Sequence, residues 1–178
     1  SFPGSLETFA SDLEKCQPHL FMAVPRIWTK FQEKILENLP QKKLSILLSI
    51  PIISRLIKNK LKQKLGIKRA KYICSGAAPL SKSTLFWFKK IDIEILQVYG
   101  MTEDCIISHC SLPGANKIGT VGKVLPNVVI KLSVEGEILI KNNCLMKGYY
   151  KAPDITASVF DEDGYFKTGD KGEYDHDG

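Results

Sequence analysis

The chain has 178 residues, of which 44% are hydrophobic and 9% aromatic, so it can bury a core and is too apolar for a disordered chain. Its net charge of +6 at pH 7 is unevenly distributed, because the stretch between Asn38 and Ile91 contains thirteen Lys or Arg and no Asp or Glu. The five cysteines form no C-x-x-C pair, and no charged start followed by an apolar stretch is seen. We therefore expect a cytoplasmic protein with reduced thiols.

The N-terminal elements alternate between helix and strand. Apolar residues at helical spacing predict an amphipathic helix over residues 5–16. Leu20–Val24 is a short apolar run, which predicts a buried strand. Pro25 suits the first turn of a following helix, which should reach about Asn38. A strand followed at once by a helix is typical of α/β folds.

A long basic segment follows. Residues 41–65 predict a helical stretch interrupted at Pro51, too short and too charged to span a bilayer. Tyr72–Cys74 is the next strand candidate. Ser81 can cap a helix that runs through Phe88.

Two turns rich in small or polar residues follow strand candidates. Ser75–Leu80 comes after the second strand, and Tyr99–Glu103 comes after a third strand predicted over Ile93–Val98. In open α/β sheets, ligands bind beyond the carboxyl ends of strands. Both turns are therefore candidate binding segments.

The sequence changes character after about residue 117, where glycines separate short runs of alternating polarity. Val128–Leu132 and Glu137–Ile140 predict two strands joined by a turn at Glu135–Gly136. We expect an α/β fold, part of a layered α/β/α nucleotide-binding subdomain, followed by a smaller and mainly antiparallel β subdomain.

The Tyr99–Glu103 turn carries groups suited to a nucleotide. The ring of Tyr99 can lie against a purine, and Gly100 allows a ligand close to the backbone. Thr102 offers a hydroxyl to phosphate, and Glu103 is an oxygen ligand suited to Mg²⁺. The competing structural interpretation is a capped helix start, with Thr102 as the cap and Glu103 in the first turn.

Two further segments add to this set. Asp170, which we expect just past a strand, can accept hydrogen bonds from both hydroxyls of a ribose, or it can form an Asx-turn. Gly76–Pro79 consists of small residues flat enough for a base to rest on, or it is a tight strand–helix turn. Cys105 and Cys110 lie near these segments in the sequence, but no base accompanies them, so we expect neither to be a nucleophile.

Seven short motifs, in this order, resemble the AMP-forming acyl-CoA synthetases, which belong to the adenylate-forming enzymes. The first motif and the helical segment before Ser75 are similar to the long-chain fatty acid type. The resemblance covers nearly the whole chain. The motifs are Val24–Trp28, Ser75–Leu80, Tyr99–Glu103, Gly119–Lys123, Gly136–Ile138, Met146–Tyr150 and Asp163–Asp170.

The resemblance implies a role for each matching position. Thr102 and Glu103 are implied to be catalytic, Thr102 through the AMP phosphate and Glu103 as the ligand of Mg²⁺. Asp170 is implied to hold the ribose hydroxyls. The other implied binding positions surround adenine or lead to the acyl tunnel, and Gly100 is implied to line the mouth of that tunnel. These positions are Gly76, Ala77, Ala78, Pro79, Tyr99, Gly100 and Met101.

The resemblance also implies the reaction. A long-chain fatty acid–CoA ligase activates a fatty acid with ATP to acyl-AMP and pyrophosphate, and then transfers the acyl group to CoA. Residues 1–117 correspond to the C-terminal part of its α/β AMP-binding subdomain, with a basic helical insert at about 41–71, and residues 118–178 to its small distorted-barrel subdomain. The family's phosphate-binding loop and C-terminal Lys have no counterpart here, and both ends of the sequence resemble cuts through a longer protein. We therefore expect these 178 residues alone to be inactive.

Several interpretations stay open at this point. The basic residues 41–71 are a solvated helical insert, an interfacial segment that contacts anionic membrane, or a surface that attracts an anionic ligand such as CoA. No known nucleic-acid module accompanies the charge, so we expect no nucleic-acid partner. The competing functions are activation of a medium-chain, aryl or aminoacyl carboxylate, or a non-enzymatic binding module of similar layout.

Overall fold

The computed structural model describes residues 5, 7–106 and 108–177. Its helices are α1 (Phe9–Cys16), α2 (Pro25–Asn38), α3 (Gln41–Ser49), α4 (Pro51–Lys64), α5 (Lys82–Lys90) and α6 (Pro153–Ser158). Its strands are β1 (Leu20–Ala23), β2 (Tyr72–Ser75), β3 (Leu96–Tyr99), β4 (His109–Cys110), β5 (Lys123–Val124), β6 (Val129–Leu132), β7 (Glu137–Lys141) and β8 (Phe166–Lys171). The predicted mixed α/β class is confirmed.

The chain folds as two compact units. The first contains the described residues up to Gln97 together with Pro113–Thr120, and the second contains Val98–Leu112 and the residues from Val121 onward. The expected boundary between residues 117 and 118 concerns the subdomains of a whole enzyme and stays a prediction.

Parallel strands form the sheet of the first unit. Phe21 of β1 lies opposite Ile73 of β2, and Cys74 of β2 lies opposite Leu96 of β3. The sequence predicts a buried β1, but Leu20 and Met22 are exposed while Phe21 is buried. The reason is that side chains alternate across a strand, and only one face of β1 is covered.

Aromatic side chains from β1, α2 and α5 build the core of this unit. Trp28 of α2 and Phe88 of α5 are fully buried, with their ring centroids 5.4 Å apart in an edge-to-face arrangement. Phe21 contacts Trp28 in the same geometry, also at 5.4 Å. Edge-to-face pairs add about 0.5–1.5 kcal/mol each beyond the area they bury. This packing fixes the two helices against the strands.

The predicted interruption at Pro51 is confirmed, because α3 ends at Ser49 and Pro51 is the first residue of α4. Each helix buries one side: Leu44 of α3 and Ser54 of α4 are both buried. The indole N–H of Trp87 donates to Oε1 of Gln41 at 2.8 Å, which ties the start of α3 to α5. The helix pair is therefore fixed to the body of the unit at its beginning.

The start of helix α5 is set by its local sequence. The Oγ of Ser81 accepts a hydrogen bond from the backbone N–H of Thr84 at 3.1 Å, so the predicted cap of α5 is confirmed.

Strand β3 is shorter than the predicted Ile93–Val98. Ile93 and Ile95 are buried but lie outside the strand. They are apolar because they pack in the core, and such packing does not require pairing with a neighbouring strand.

The second unit is mainly antiparallel, as predicted. Strand β4 pairs with Val98 and Tyr99 of β3 and with β5, and β7 lies between β6 and β8. The predicted turn between β6 and β7 is confirmed: Gly136 has a φ of +81° and its N–H donates to the carbonyl of Ser133 at 3.0 Å. Among residues 5, 7–106 and 108–177, no helix is long and apolar enough to cross a membrane.

Gly66 should be indispensable for the stability of the first unit. Its φ is +70°, and a Cβ at this position would clash with the carbonyl oxygen of Leu13. Gly114 has nearly the same φ of +75° with nothing within 4 Å of the corresponding Cβ position. We expect Gly114→Ala to lower the free energy of unfolding by about 1–2 kcal/mol, the cost of a left-handed alanine. Gly66→Ala should lose roughly 1–3 kcal/mol more from overpacking.

Urea unfolding followed by circular dichroism measures both values. Equal losses for the two variants would show that the α1 backbone can move away without cost.

Candidate functional site

The Gly76–Pro79 segment follows β2 directly and belongs to the first unit. Ala77 has a φ of +66°, which makes this a sharp turn. Ala77, Ala78 and Pro79 are exposed, whereas Gly76 is buried. The segment is therefore a tight strand–helix turn that also exposes three small residues.

Tyr99 and Asp170 meet in the second unit. The hydroxyl of Tyr99 donates to Oδ2 of Asp170 at 2.8 Å, although the two residues are 71 positions apart along the chain. The sequence predicts Asp170 just past a strand or in an Asx-turn, but it lies inside β8, where its backbone N–H donates to Oγ1 of Thr168 at 3.1 Å. The predicted position is wrong because the Thr168-Gly169 pair does not end the strand.

Burial raises the pKa of the Tyr99 hydroxyl far above its usual value of 10.0, and the neighbouring Asp170 carboxylate raises it further. Tyr99 thus stays protonated and is a hydrogen-bond donor at physiological pH. The ring lies edge-to-face with the ring of His109, with 5.5 Å between the centroids. The phenol is therefore held at both its ring and its hydroxyl.

Thr102 and Glu103 lie in a single 3₁₀ turn, Thr102–Asp104, which is separated from the end of β3 by two residues. The interpretation in which Thr102 caps a helix is wrong, because Met101 occupies the cap position and Thr102 is the first residue of the turn. The side chain of Thr102 is exposed. Its hydroxyl is accessible to a ligand.

One oxygen of the buried Asp104 holds this turn together. Its Oδ1 accepts from the backbone N–H of Met101 at 2.8 Å and from that of Ile106 at 2.9 Å. Cys105 and Ile106 both have left-handed backbones, with φ of 58° and 60°. Such a pair of non-glycine residues persists only where surrounding contacts impose it. A Cβ on Gly100 would lie 2.7 Å from the backbone of Ile106, so glycine is required there.

Glu103 makes a contact that sequence reasoning missed. The hydroxyl of Tyr149 donates to Oε1 of Glu103 at 2.9 Å. The backbone N–H of Met146 also donates to the carbonyl of Glu103 at 2.7 Å. The carboxylate is therefore oriented by a side chain 46 positions away. The motif Met146–Tyr150 stands out in the sequence, but nothing in its spacing indicates that Tyr149 contacts Glu103.

The carboxylate of Glu103 is of the ligand type that Mg²⁺ takes. Among the residues that the structure describes, no group of three or more His, Cys, Asp or Glu could enclose a metal. Mg²⁺ usually takes one or two carboxylates together with water and substrate phosphates. Glu103 keeps Oε2 for this purpose while Tyr149 occupies Oε1. The donor set suits an ion that arrives with a nucleotide.

The comparisons with known proteins identify the family. The model of the AMP-binding enzyme family matches residues 2–150. The chain belongs to this family. It is 32% identical over 211 residues to long chain acyl-CoA synthetase 4 of Arabidopsis thaliana, a match that covers 98% of this chain and 31% of the relative. It is also 38% identical over 119 residues to an Arabidopsis malonate–CoA ligase, covering 62% of this chain and 20% of that protein.

A solved structure of the same class shares the fold. A malonyl-CoA ligase, in a ternary product complex with methylmalonyl-CoA and AMP, matches with a TM-score of 0.67 and 25% identity. The match covers 98% of this chain and 35% of that chain. The present chain thus spans about a third of the length of its relatives. Adenylate-forming acyl-CoA ligases are confirmed as its family.

Asp104 should hold the 3₁₀ turn Thr102–Asp104 through its acceptor oxygen. We expect Asp104→Ala to lower the free energy of unfolding by about 1–3 kcal/mol, because the two N–H donors lose their shared partner. Hydrogen exchange at the amide of Met101 should accelerate in the same variant. Asp104→Asn keeps Oδ1 and is the matched control, for which protection at Met101 should persist. If the Met101 amide lost protection in both variants, the negative charge of Asp104 would stabilise the turn, and not its acceptor oxygen.

His109 should make stability fall in mild acid. Burial lowers its pKa below the usual 6.5, partly offset by Asp104. The contribution of the neutral ring is complete above pH 6.5 and is lost as the pH falls through the lower pKa of the folded state. We expect His109→Gln to flatten the decline of the urea midpoint between about pH 7 and pH 5. His176→Gln, at an exposed position, is the control. If the urea midpoint declined equally with and without His109→Gln, His109 would not be the cause of the decline.

Proposed function

We propose that this chain is the central part of an acid–thiol ligase that activates a long-chain fatty acid with ATP and passes the acyl group from acyl-AMP to CoA. The hydrogen bond between Tyr99 and Asp170 is the observation that carries the proposal. It brings together an aromatic ring and a carboxylate, which are the groups that the base and the ribose of one nucleoside need.

We assign the nucleoside first to residues of the second unit, where Tyr99 stacks on adenine and Asp170 accepts from the ribose hydroxyls. The turn of Gly76, Ala77, Ala78 and Pro79 in the first unit is assigned to nucleotide binding separately, on its own evidence. Support for that turn comes from its exposed small residues and from the family to which the chain belongs.

The 3₁₀ turn supplies the groups that act on phosphate. Thr102 donates its exposed hydroxyl to the α-phosphate, and Glu103 binds Mg²⁺ that accompanies ATP. Tyr149 positions the Glu103 carboxylate through their 2.9 Å hydrogen bond. Gly100 and Met101 form the backbone beside the reacting groups, with Gly100 at the mouth of the acyl tunnel. When bound, Mg²⁺ supplies neutralisation of the phosphate charge.

The proposed reaction requires positioning and charge stabilisation from the protein, and these residues supply part of both. A carboxylate that attacks the α-phosphate requires in-line placement and electrostatic stabilisation, and no covalent intermediate with the enzyme. A turn fixed by Asp104 and oriented by Tyr149 suits such a role, because preorganised groups do not have to rearrange when charge develops.

Long-chain specificity is supported by the Arabidopsis long-chain relative, whose match covers nearly the whole chain including the basic residues 41–71. A second candidate is a short dicarboxylate, because the malonate–CoA ligase relative has the higher identity, although over fewer residues. Activation of a medium-chain, aryl or aminoacyl acid and a non-enzymatic binding role stay open as well. A cytoplasmic location is part of the proposal, because the thiols of Cys105 and Cys144 are exposed and form no disulfide, which suits a reducing compartment.

A panel of acids tests the substrate. A longer protein that contains this chain should catalyse pyrophosphate exchange with ATP in the presence of palmitate, and much more slowly with malonate, octanoate or benzoate. Faster exchange with malonate would establish the second candidate. If the protein binds ATP but shows no pyrophosphate exchange with any of the acids, the non-enzymatic binding role would be favoured.

Glu103 should be required for adenylation. In the same longer protein, we expect Glu103→Gln to lower kcat for pyrophosphate exchange by about a hundredfold or more, because a ligand of Mg²⁺ is lost. Raising the magnesium concentration should restore part of the rate. Glu162→Gln, at an exposed carboxylate outside the turn, is the control. An unchanged rate in Glu103→Gln would remove this residue from the mechanism.

A further inference from the structure

The helix pair α3–α4 exposes a group of large apolar side chains around the point where the two helices join. The exposed fractions are 63% for Ile46, 43% for Ile50, 77% for Ile52 and 65% for Leu56. Ile52 and Leu56 are four positions apart in α4, so they lie on the same face of that helix. We call the group of Ile46, Ile50, Ile52 and Leu56 the apolar tip.

The apolar tip lies on the outer side of a helix pair that is fixed at other positions. Leu44 and Ser54 are buried, and Gln41 accepts a hydrogen bond from the indole of Trp87. The side chains of the apolar tip therefore do not contribute to the core of the first unit. Clustered exposed aliphatic side chains usually mark a surface that meets another apolar phase.

Positive charge accompanies the apolar tip along the same two helices. Residues 41–64 contain seven Lys or Arg and no Asp or Glu. Two of the seven form ion pairs within the unit, Lys62 with Asp92 at 2.7 Å and Lys64 with Glu14 at 3.4 Å. The side chains of Lys42, Lys43, Arg55 and Lys60 are exposed. The surface is thus both cationic and apolar.

The partner has to match both the charge and the apolar side chains. A soluble polyanion such as RNA would pair with the cations but leave the isoleucines in water. A bilayer that contains anionic lipid offers phosphate groups at its surface and hydrocarbon just below it. We propose that the α3–α4 helix pair docks on an anionic lipid surface, with the apolar tip entering the headgroup boundary. This surface is independent of the nucleotide-binding residues, so the inference does not rest on the proposed function.

Sedimentation with lipid vesicles tests the docking. The purified chain should bind vesicles of phosphatidylcholine mixed with phosphatidylglycerol several-fold more tightly than vesicles of phosphatidylcholine alone, and added salt should weaken the binding. Equal binding to both vesicles, or binding to neither, would overturn the proposal.

Matched variants separate the apolar contribution to lipid binding from the electrostatic contribution. The double variant Ile52→Ser/Leu56→Ser should weaken binding by about tenfold or more, since it removes two inserted side chains. Ile155→Ser removes a similarly exposed isoleucine (57%) from α6 and should have no effect. Lys42→Glu/Lys60→Glu should abolish the preference for anionic lipid, whereas Lys147→Glu/Lys171→Glu, which changes net charge equally, should preserve most of it. Circular dichroism checks that each variant is folded.

Fluorescence reports insertion directly. Trp28 and Trp87 are buried and give a constant background, so an Ile52→Trp variant adds one probe at the apolar tip. Its emission should shift to shorter wavelength on anionic vesicles and be quenched by brominated lipid. An unshifted emission from bound protein would overturn insertion.

Two further outcomes decide against the proposal. Binding to heparin that equals lipid binding and survives Ile52→Ser/Leu56→Ser would identify a polyanion as the partner. Lipid binding by the 178-residue chain that disappears in a longer protein containing it would show that the apolar tip is covered by the protein itself.

Discussion

A single side-chain oxygen, Oδ1 of Asp104, constrains the part of the second unit on which the proposed chemistry depends. It bridges the backbone N–H groups of Met101 and Ile106 and so closes the turn that carries Thr102 and Glu103. The same turn anchors the segment around residues 144–149. Cys105 Sγ contacts the carbonyl of Cys144 at 3.3 Å, in addition to the two contacts of Glu103 with that segment. Local backbone geometry at one turn thus sets the position of a distant loop.

Elements with a local chemical signal could be predicted from the sequence. Helix α2 begins at Pro25, as expected from the fixed φ of proline, and Ser81 caps α5 through a hydrogen bond three residues along. The start of β3 could not be predicted, because Ile93 and Ile95 are apolar for packing reasons alone. The exposed face of β1 was also missed, since hydrophobicity does not report which face of a strand is covered.

The candidate site was only partly accessible to sequence reasoning. Tyr99 and Asp170 were recognised by residue type, and their contact could not be, because it depends on pairing among strands far apart along the chain. Asp104 gave no signal of its own. Its importance follows from the left-handed backbones of Cys105 and Ile106, which residues of those types rarely adopt. Tyr149 likewise gains its meaning only from three-dimensional proximity to Glu103.

The hydrogen bond from Tyr99 to Asp170 has a consequence for nucleotide selectivity. In the proposed binding mode, the Asp170 carboxylate already accepts one hydrogen bond before a nucleotide arrives. A carboxylate has two oxygens and about four acceptor positions, so it can accept from a sugar while the phenol stays bound. A ribose would offer two hydroxyls to the remaining positions, whereas a 2′-deoxyribose would offer one and form one hydrogen bond fewer. The phenol would thus orient the carboxylate in advance for a ribonucleotide in preference to a deoxyribonucleotide.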